Sequence, residues 1–316
     1  MHRMEGDNPQ ILVVGSINMD LVVRTPRRPA PGETVLGDGF TTSPGGKGAN
    51  QAVAVARLGG NCAMIGRVGD DGYGRDLREG LQQEGVHCAH VLVAEGEPSG
   101  VAMIVVDSSG ENSIIVASGA NFRLTPDDLF ARQEAFEAAA VVLLQLELPL
   151  PTIRAAIKLA RRHGAKVVLD PAPAHKCLHE DLYRVDVISP NSSEAEILTG
   201  RRKVEERVDK LVAADFIERG AKAAVLKLGP RGAMVIDAEG HISRARPYKV
   251  DVVDTTAAGD AFTGALAVAM TRGEKLSAAA QFANAAGALA CTRYGAQQAM
   301  PTAAEVKMLM DDQPAP

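Results

Sequence analysis

The chain has 316 residues, enough for one large α/β domain or two ordinary ones, and its 46% hydrophobic content can supply a sizeable core. Aromatic residues are only 3% and Trp is absent, which disfavours a stacking platform for single-stranded nucleic acid. Lys plus Arg number 34 against 39 Asp plus Glu, a net charge of −5 with no basic block, so a polyanionic partner is disfavoured too.

The N-terminal MHRMEGDNPQ is polar and lacks an apolar leader core, so residues 1–10 are expected to be disordered. The four cysteines, Cys62, Cys88, Cys177 and Cys291, form neither a CxxC pair nor a zinc-spaced cluster, and read as reduced, mostly buried thiols. The most apolar stretch, Ala138–Leu150, is broken by Gln145, Glu147 and Pro149, and is no membrane span. A soluble cytoplasmic protein is expected, with neither membrane nor nucleic acid as partner.

Ile11–Val14 is a short apolar run ending in Gly15-Ser16, the pattern of a buried parallel strand. Strand-like pieces follow at Leu21–Val23 and Thr34–Phe40, then an apolar helix at Ala49–Leu58, a strand at Ala63–Val68 and a helix at Arg75–Glu84. GVAMIVV and NSIIVA, within 100–117, flank the loop Asp107–Glu111 as a hairpin. These runs are apolar on both faces, and a two-stranded ribbon cannot bury both alone. Residues 18–42 and 100–118 are therefore expected to form a small sheet, one face toward a ligand and the other toward a partner subunit.

From 125 onward strands and helices alternate. Helices are expected at 126–138, 151–163, 192–199, 204–219, 259–271 and 276–292, with strands at 141–146, 166–170, 185–188, 223–228 and 249–253. A hairpin covers 233–237 and 241–245, and DDQPAP reads as a tail. The alternation predicts a three-layer α/β/α fold on a mostly parallel sheet with helices on both faces. A single domain is expected over residues 11–310. Ligands of such sheets bind beyond the carboxyl ends of the strands, so the loops there carry the candidate site.

In DTTAAGDAFTGALA (254–267) a helix is expected to start near Gly259, directly after a strand. Unpaired N–H groups and the helix dipole make its start an anion site, and the small residues Ala257, Ala258 and Gly259 allow close approach. A carboxylate at Asp260, beside that anion, would accept a proton from a hydroxyl attacking a phosphate, a contribution of ~10²–10⁴-fold. The competing reading is plain helix capping by Asp254 or Thr255. SPGGKGANQ (43–51) leads into a helix with Gly45, Gly46, Lys47 and Asn50. Gly48 follows Lys47 where a Walker A loop needs Ser or Thr, and a Gly-rich turn is the alternative. Asn18 and Asp20 of GSINMD suit adjacent sugar hydroxyls, although both are ordinary turn residues. Asn191–Glu194 could be a helix cap, and Lys227–Gly232 a turn.

Taken in order, GSINMD, GGKGAN, QLE, PNSSEAE, LGPRG and DTTAAGD resemble the ribokinase-like carbohydrate and purine kinase superfamily over about residues 11–301. The resemblance implies transfer of the ATP γ-phosphoryl to a sugar hydroxyl, with D-ribose O5 the leading acceptor and 2-deoxyribose or fructose the alternatives. A sugar sensor without turnover is more remote. The resemblance implies a sugar-binding set of Asn18, Asp20, Gly46, Lys47, Asn50 and Glu147. Asp260 would be the base, with Ala257, Ala258 and Gly259 as anion hole. Asn191, Lys227, Gly229, Pro230, Gly232, Gly259 and Asn284 would meet ATP, and Glu194 would serve Mg²⁺. Asp254 and Thr256, with carbonyls near Ala290, Arg293, Gly295 and Ala299, would hold an activating K⁺. The resemblance also implies a Rossmann-like fold in which the small β-sheet, 18–42 with 100–118, is a lid, and two lids clasp in a homodimer. Asn284 stands where some members carry His, and Pro230 removes a backbone donor from its loop.

Overall fold

The computed structural model describes residues 10–176, 178–201 and 206–314. Residues 1–9 of the expected N-terminal disorder, Cys177, positions 204–205 of an expected helix and the last two tail residues lie outside the described residues. The chain opens with β1 (Ile11–Val14), β2 (Asn18–Arg24) and β3 (Gly39–Gly45), then α1 (Lys47–Arg57), β4 (Cys62–Gly69), α2 (Gly72–Gln83) and β5 (His87–Ala94). The hairpin β6 (Gly100–Val106) and β7 (Asn112–Ala117) precedes α3 (Pro126–Phe130), α4 (Gln133–Ala138), β8 (Val141–Leu144), α5 (Leu150–Arg162) and β9 (Lys166–Leu169). Then come β10 (Val187–Ile188), α6 (Ser192–Thr199), α7 (Glu206–Glu218), β11 (Ala223–Lys227), β12 (Ala233–Asp237) and β13 (Ile242–Ala245). Three helices finish the chain: α8 (Ala258–Thr271), α9 (Leu276–Ala290) and α10 (Ala303–Asp312).

Nine strands make one sheet in the order β13-β12-β11-β10-β9-β8-β1-β4-β5, parallel except at the β11–β12 and β12–β13 pairs. Helices cover both faces, which is why the central strands are apolar throughout rather than alternating. Ile11 and Val13 of β1 belong to the core completed by α1, α8 and α9, while Leu12 and Val14 belong to the core completed by α5 and α7 on the other face. The winding leaves β1 on one side through β4 and β5, and returns on the other through β8. The carboxyl end of β1 therefore lies where the strand order reverses, the place where such sheets open a ligand crevice.

The second sheet has the order β3-β2-β6-β7, with β2–β6 parallel and the other pairs antiparallel. Its side chains alternate between faces. Asp20, Ile104 and Ile114 face the clefts at the crevice. On the opposite face Phe40, Met103 and Ile115 are 62%, 56% and 70% exposed.

Several expectations shift. The strand expected at Thr34–Phe40 runs instead as β3, so Ser43-Pro44-Gly45 belongs to a strand rather than a loop. The helix expected over 126–138 breaks into α3 and α4 at Ala131-Arg132, where Arg132 adopts φ −128, ψ 29. The segment 249–253 is not a strand. Its groups bond to the helical layer, Val253 N–H to Cys291 O (2.8 Å) and Lys249 N–H to Gln313 Oε1 (3.1 Å), while β13 ends the sheet. The tail begins later than expected, because α10 runs through Asp312. Edge strand β5 had no counterpart in the sequence reading.

Candidate active site

The start of α8 is the centre of the site. Ala257 precedes it with φ 56, ψ 10, and no side chain caps the helix. A non-glycine residue in that left-handed region costs ~1–2 kcal/mol, so the surrounding structure imposes it. The capping alternative fails because Asp254 is used elsewhere. Its Oδ1 accepts from Thr256 N (2.9 Å) and Oγ1 (2.6 Å), and its Oδ2 from Gly295 N (3.0 Å). Among the described residues no acceptor pairs with the N–H groups of Gly259 and Asp260. They form an open donor pair at the positive end of a helix.

Asp260, in the first turn, is 4% exposed. Asn50 Nδ2 donates to its Oδ2 (3.0 Å) and Gln51 Nε2 to its Oδ1 (3.1 Å). Burial pushes its pKa up to about 6, against the opposing charge of Lys47 and these two hydrogen bonds. The group is thus a carboxylate near neutrality whose proton affinity is well above that of a free aspartate.

Two clefts meet at this turn. One, of about 280 Å³, is lined by Asn18, Asp20, Lys47, Asn50, Glu147 and Asp260, closed from above by the small sheet. The other, of about 230 Å³, is lined by Asn191, Lys227, Gly232, Gly259, Phe262 and Asn284. Ala257 and Asp260 border the first, and Ala258 and Gly259 the second, so a single helical turn separates the two.

The first cleft is rich in polar groups left for a ligand. Asn18 Oδ1 accepts from Asn121 Nδ2 (2.8 Å), which leaves its own NH₂ for the cleft. Asn50 Oδ1 is buried with no partner. No donor among the described residues pairs with the Asp20 carboxylate, and burial, then Glu147 and Asp260, raise its pKa to about 7. Glu147 Oε2 accepts from Ser16 Oγ (2.5 Å) and Lys47 N (3.2 Å). Burial works against the Lys47 ammonium, yet Asp260, Glu147, Asp170 and Glu194 together hold its pKa above the usual lysine value.

The glycines of GGKG serve chain crossings as much as ligand approach. A Cβ at Gly45 would lie 2.3 Å from Asp20 Oδ2, and one at Gly46 2.7 Å from Asn18 N, where φ is already +88. Asn18 and Asp20 are thereby held against α1's start. Gly46 also borders the first cleft.

Asn191 borders the second cleft and forms the capping box of α6 with Glu194: Glu194 N donates to Asn191 Oδ1 (2.8 Å), and Asn191 N to Glu194 Oε2 (2.7 Å). Burial raises the Glu194 pKa, partly offset by Lys227. Asn284 Nδ2 donates to Arg246 O (2.6 Å) and fixes α9 to the chain after β13. Gly229 lines the cleft, but Pro230 is exposed and does not. Lys227 borders the second cleft, half-buried beside Gly259, and its Nζ lies 2.8 Å from Asp170 Oδ1.

The expected cation residues divide. Asp254, Thr256 and Gly295 are joined by the hydrogen bonds above and border a third cleft of about 470 Å³ under the small sheet. Hydrogen bonds from Thr256 and Gly295 overcome burial and hold the Asp254 pKa below the usual value. Ala290 ends α9 and Ala299 sits in the turn Gln297–Ala299, both buried, while Arg293 pairs with Glu305.

The sequence reading missed Asp170, Gln51 and Asn121. Gln51 Nε2 bridges Asp260 and Asp170 Oδ2 (3.1 Å), and Asn121 accepts from Ile17 N (2.9 Å) while holding Asn18. Asp170 was findable as a lone carboxylate at the end of the VVL strand. Asn121 had only its place after the hairpin to mark it.

A buried carboxylate, a pair of open helix N–H groups and a polar cleft at a topological switch point are parts that suit a sugar kinase. The chain belongs to the pfkB family of carbohydrate kinases, whose profile matches residues 8–303. It is 39% identical to the ribokinase of Haemophilus influenzae over 297 residues, 93% of this chain and 96% of that one. Against the Bacillus subtilis ribokinase the figures are 39% over 300 residues, 95% and 99%. The Arabidopsis thaliana ribokinase solved with ribose and ATP superposes with a TM-score of 0.89 at 34% identity, covering 96% of this chain and 99% of the other.

Proposed function

We propose that this chain transfers the γ-phosphoryl of ATP to the 5-hydroxyl of D-ribose, releasing ADP and D-ribose 5-phosphate. The observation that carries the reading is the buried Asp260, placed where the two clefts meet beside the open N–H groups of α8. Asp260 takes the proton of the attacking hydroxyl, and the oxygen attacks phosphorus in line. The N–H groups of Gly259 and Asp260 stabilise charge on the phosphoryl oxygens. Asn18, Asp20, Lys47, Asn50 and Glu147 hold the remaining hydroxyls. ATP occupies the second cleft between Gly229–Gly232 and Asn284.

Both Glu194 oxygens are engaged by Asn191, so Glu194 suits Mg²⁺ held through water rather than by direct ligation. Bound Mg²⁺ neutralises phosphate charge. The ionised Asp254 and neighbouring backbone carbonyls are an all-oxygen set that suits K⁺. The exposed apolar face of the small sheet suits a homodimer in which two such sheets clasp. The free thiols of Cys62 and Cys88 fit a cytoplasmic location.

The test is Asp260→Asn. D-ribose should still bind, measured by calorimetry, while ribose-dependent ADP release falls by about 10²–10⁴-fold. Turnover within a few-fold of the parent contradicts the assignment of the base.

A further inference from the structure

Between the two clefts lies a half-buried ion pair with no role yet in the phosphoryl transfer itself. Lys227 ends β11 and Asp170 follows β9, and their side chains are only 10% and 3% exposed. The Asp170 carboxylate is fully engaged. Its Oδ1 accepts from Lys227 Nζ (2.8 Å), and its Oδ2 from Gln51 Nε2 (3.1 Å) and Thr263 Oγ1 (3.1 Å). Thr263 Oγ1 also lies 3.0 Å from Gly259 O, which ties the cluster to α8.

Among the described residues, one of the three donors of the Lys227 ammonium is used, and it goes to Asp170. Its Nζ lies where a Cβ on Gly259 would be 3.4 Å away, which puts the ammonium on the open side of the glycine at the start of α8. Lys227 also borders the second cleft with Gly259. Lys47 flanks the same turn from the first cleft. The anion hole thus has a cation on each side, and only one of them belongs to the sugar-binding set.

We propose that Lys227 is a catalytic residue that donates to the transferring phosphoryl group, and that Asp170 is a positioning residue that holds it there. A desolvated ammonium beside the hole stabilises charge as it spreads over the phosphoryl oxygens. Asp170 sets both ends of the arrangement: one oxygen fixes Lys227, and the other fixes Gln51, which fixes Asp260. The proposal deepens the kinase reading and rests on it.

The experiment uses the full chain with Lys227→Met, Asp170→Asn and the double variant, measuring ribose-dependent ADP release and calorimetric affinities for ATP, ADP and D-ribose. For Lys227→Met, kcat should fall about 100-fold and ATP affinity should fall about tenfold. ADP affinity should change by less than about threefold and ribose affinity not at all. The double variant contains no buried unpaired charge, so it guards against a folding defect and should show the same loss as Lys227→Met. If the double variant recovers parental turnover, the loss came from an orphaned Asp170 charge and the proposal is overturned. Equal weakening of ATP and ADP overturns it as well, because the contact then lies on phosphates that stay with the nucleotide. If the parent releases no ADP with any sugar, the kinase reading fails. The ATP-against-ADP comparison still decides whether Lys227 meets the terminal phosphate.

Discussion

Asp260 shows how burial prepares a base. Its carboxylate must be ionised to take a proton, and its pKa stands at about 6. The rate should therefore fall as pH drops through about 6, seen as an acidic limb in kcat/KM. A flat profile down to pH 5 contradicts the role. Asp20 makes the complementary point about stability. Its pKa is raised to about 7, so the protonated form is favoured by folding. That stabilisation is complete below pH 4 and is lost as pH rises through about 7. Asp20→Asn should then raise the melting temperature at pH 8, by an amount on the order of 2–4 kcal/mol in stability, with the gain vanishing near pH 4. It should weaken sugar binding at the same time. Gly100 carries a third residue-scale test. A Cβ there would lie 2.2 Å from Asn121 Nδ2 and 2.3 Å from Asn18 Oδ1. Gly100→Ala should raise KM for the sugar by the equivalent of about 1–3 kcal/mol and leave KM for ATP unchanged.

At the scale of elements, α1 and α8 form the platform of the site. They approach closely because Gly264 packs on Ala54, where an added Cβ would be 2.7 Å away. Asn50 and Gln51 come from α1 and Asp260 from α8, so this spacing sets their hydrogen bonds. Gly264→Val should cost on the order of 1–3 kcal/mol in stability and reduce kcat further than the melting shift accounts for. The same helices explain what sequence could and could not show. The motifs at 15–20, 46–51 and 254–260 were legible because each sits at an element boundary with an unusual run of small or polar residues. The roles of Gln51 and Asn121 were not, because each acts through partners about a hundred or more positions away in sequence, and Asp170 stood out only as a carboxylate at a strand end. Helix α10 was legible in principle: Thr302 and Glu305 form its capping box. The apolar run at 249–253 looked like a strand because β-propensity does not reveal that the sheet edge is already closed by β13.

For the whole molecule, the alternation of strand and helix was enough to predict a mostly parallel sheet between helical layers, though not its edge strand β5, and the crevice falls where the strand order reverses. The small sheet stands over that crevice with an apolar outer face. If two copies clasp through it, Met103→Glu or Ile115→Glu should convert a dimer to a monomer in sedimentation equilibrium. The parent sedimenting as a monomer at tens of micromolar contradicts the clasp. The central claim concerns the reaction. The most direct measurement is phosphorus NMR of the product formed from ATP, Mg²⁺, K⁺ and D-ribose, run beside 2-deoxyribose and fructose. The account predicts ADP and D-ribose 5-phosphate in equal amounts, with ribose the best acceptor; phosphate on another hydroxyl, or no ADP above the sugar-free background, would contradict it.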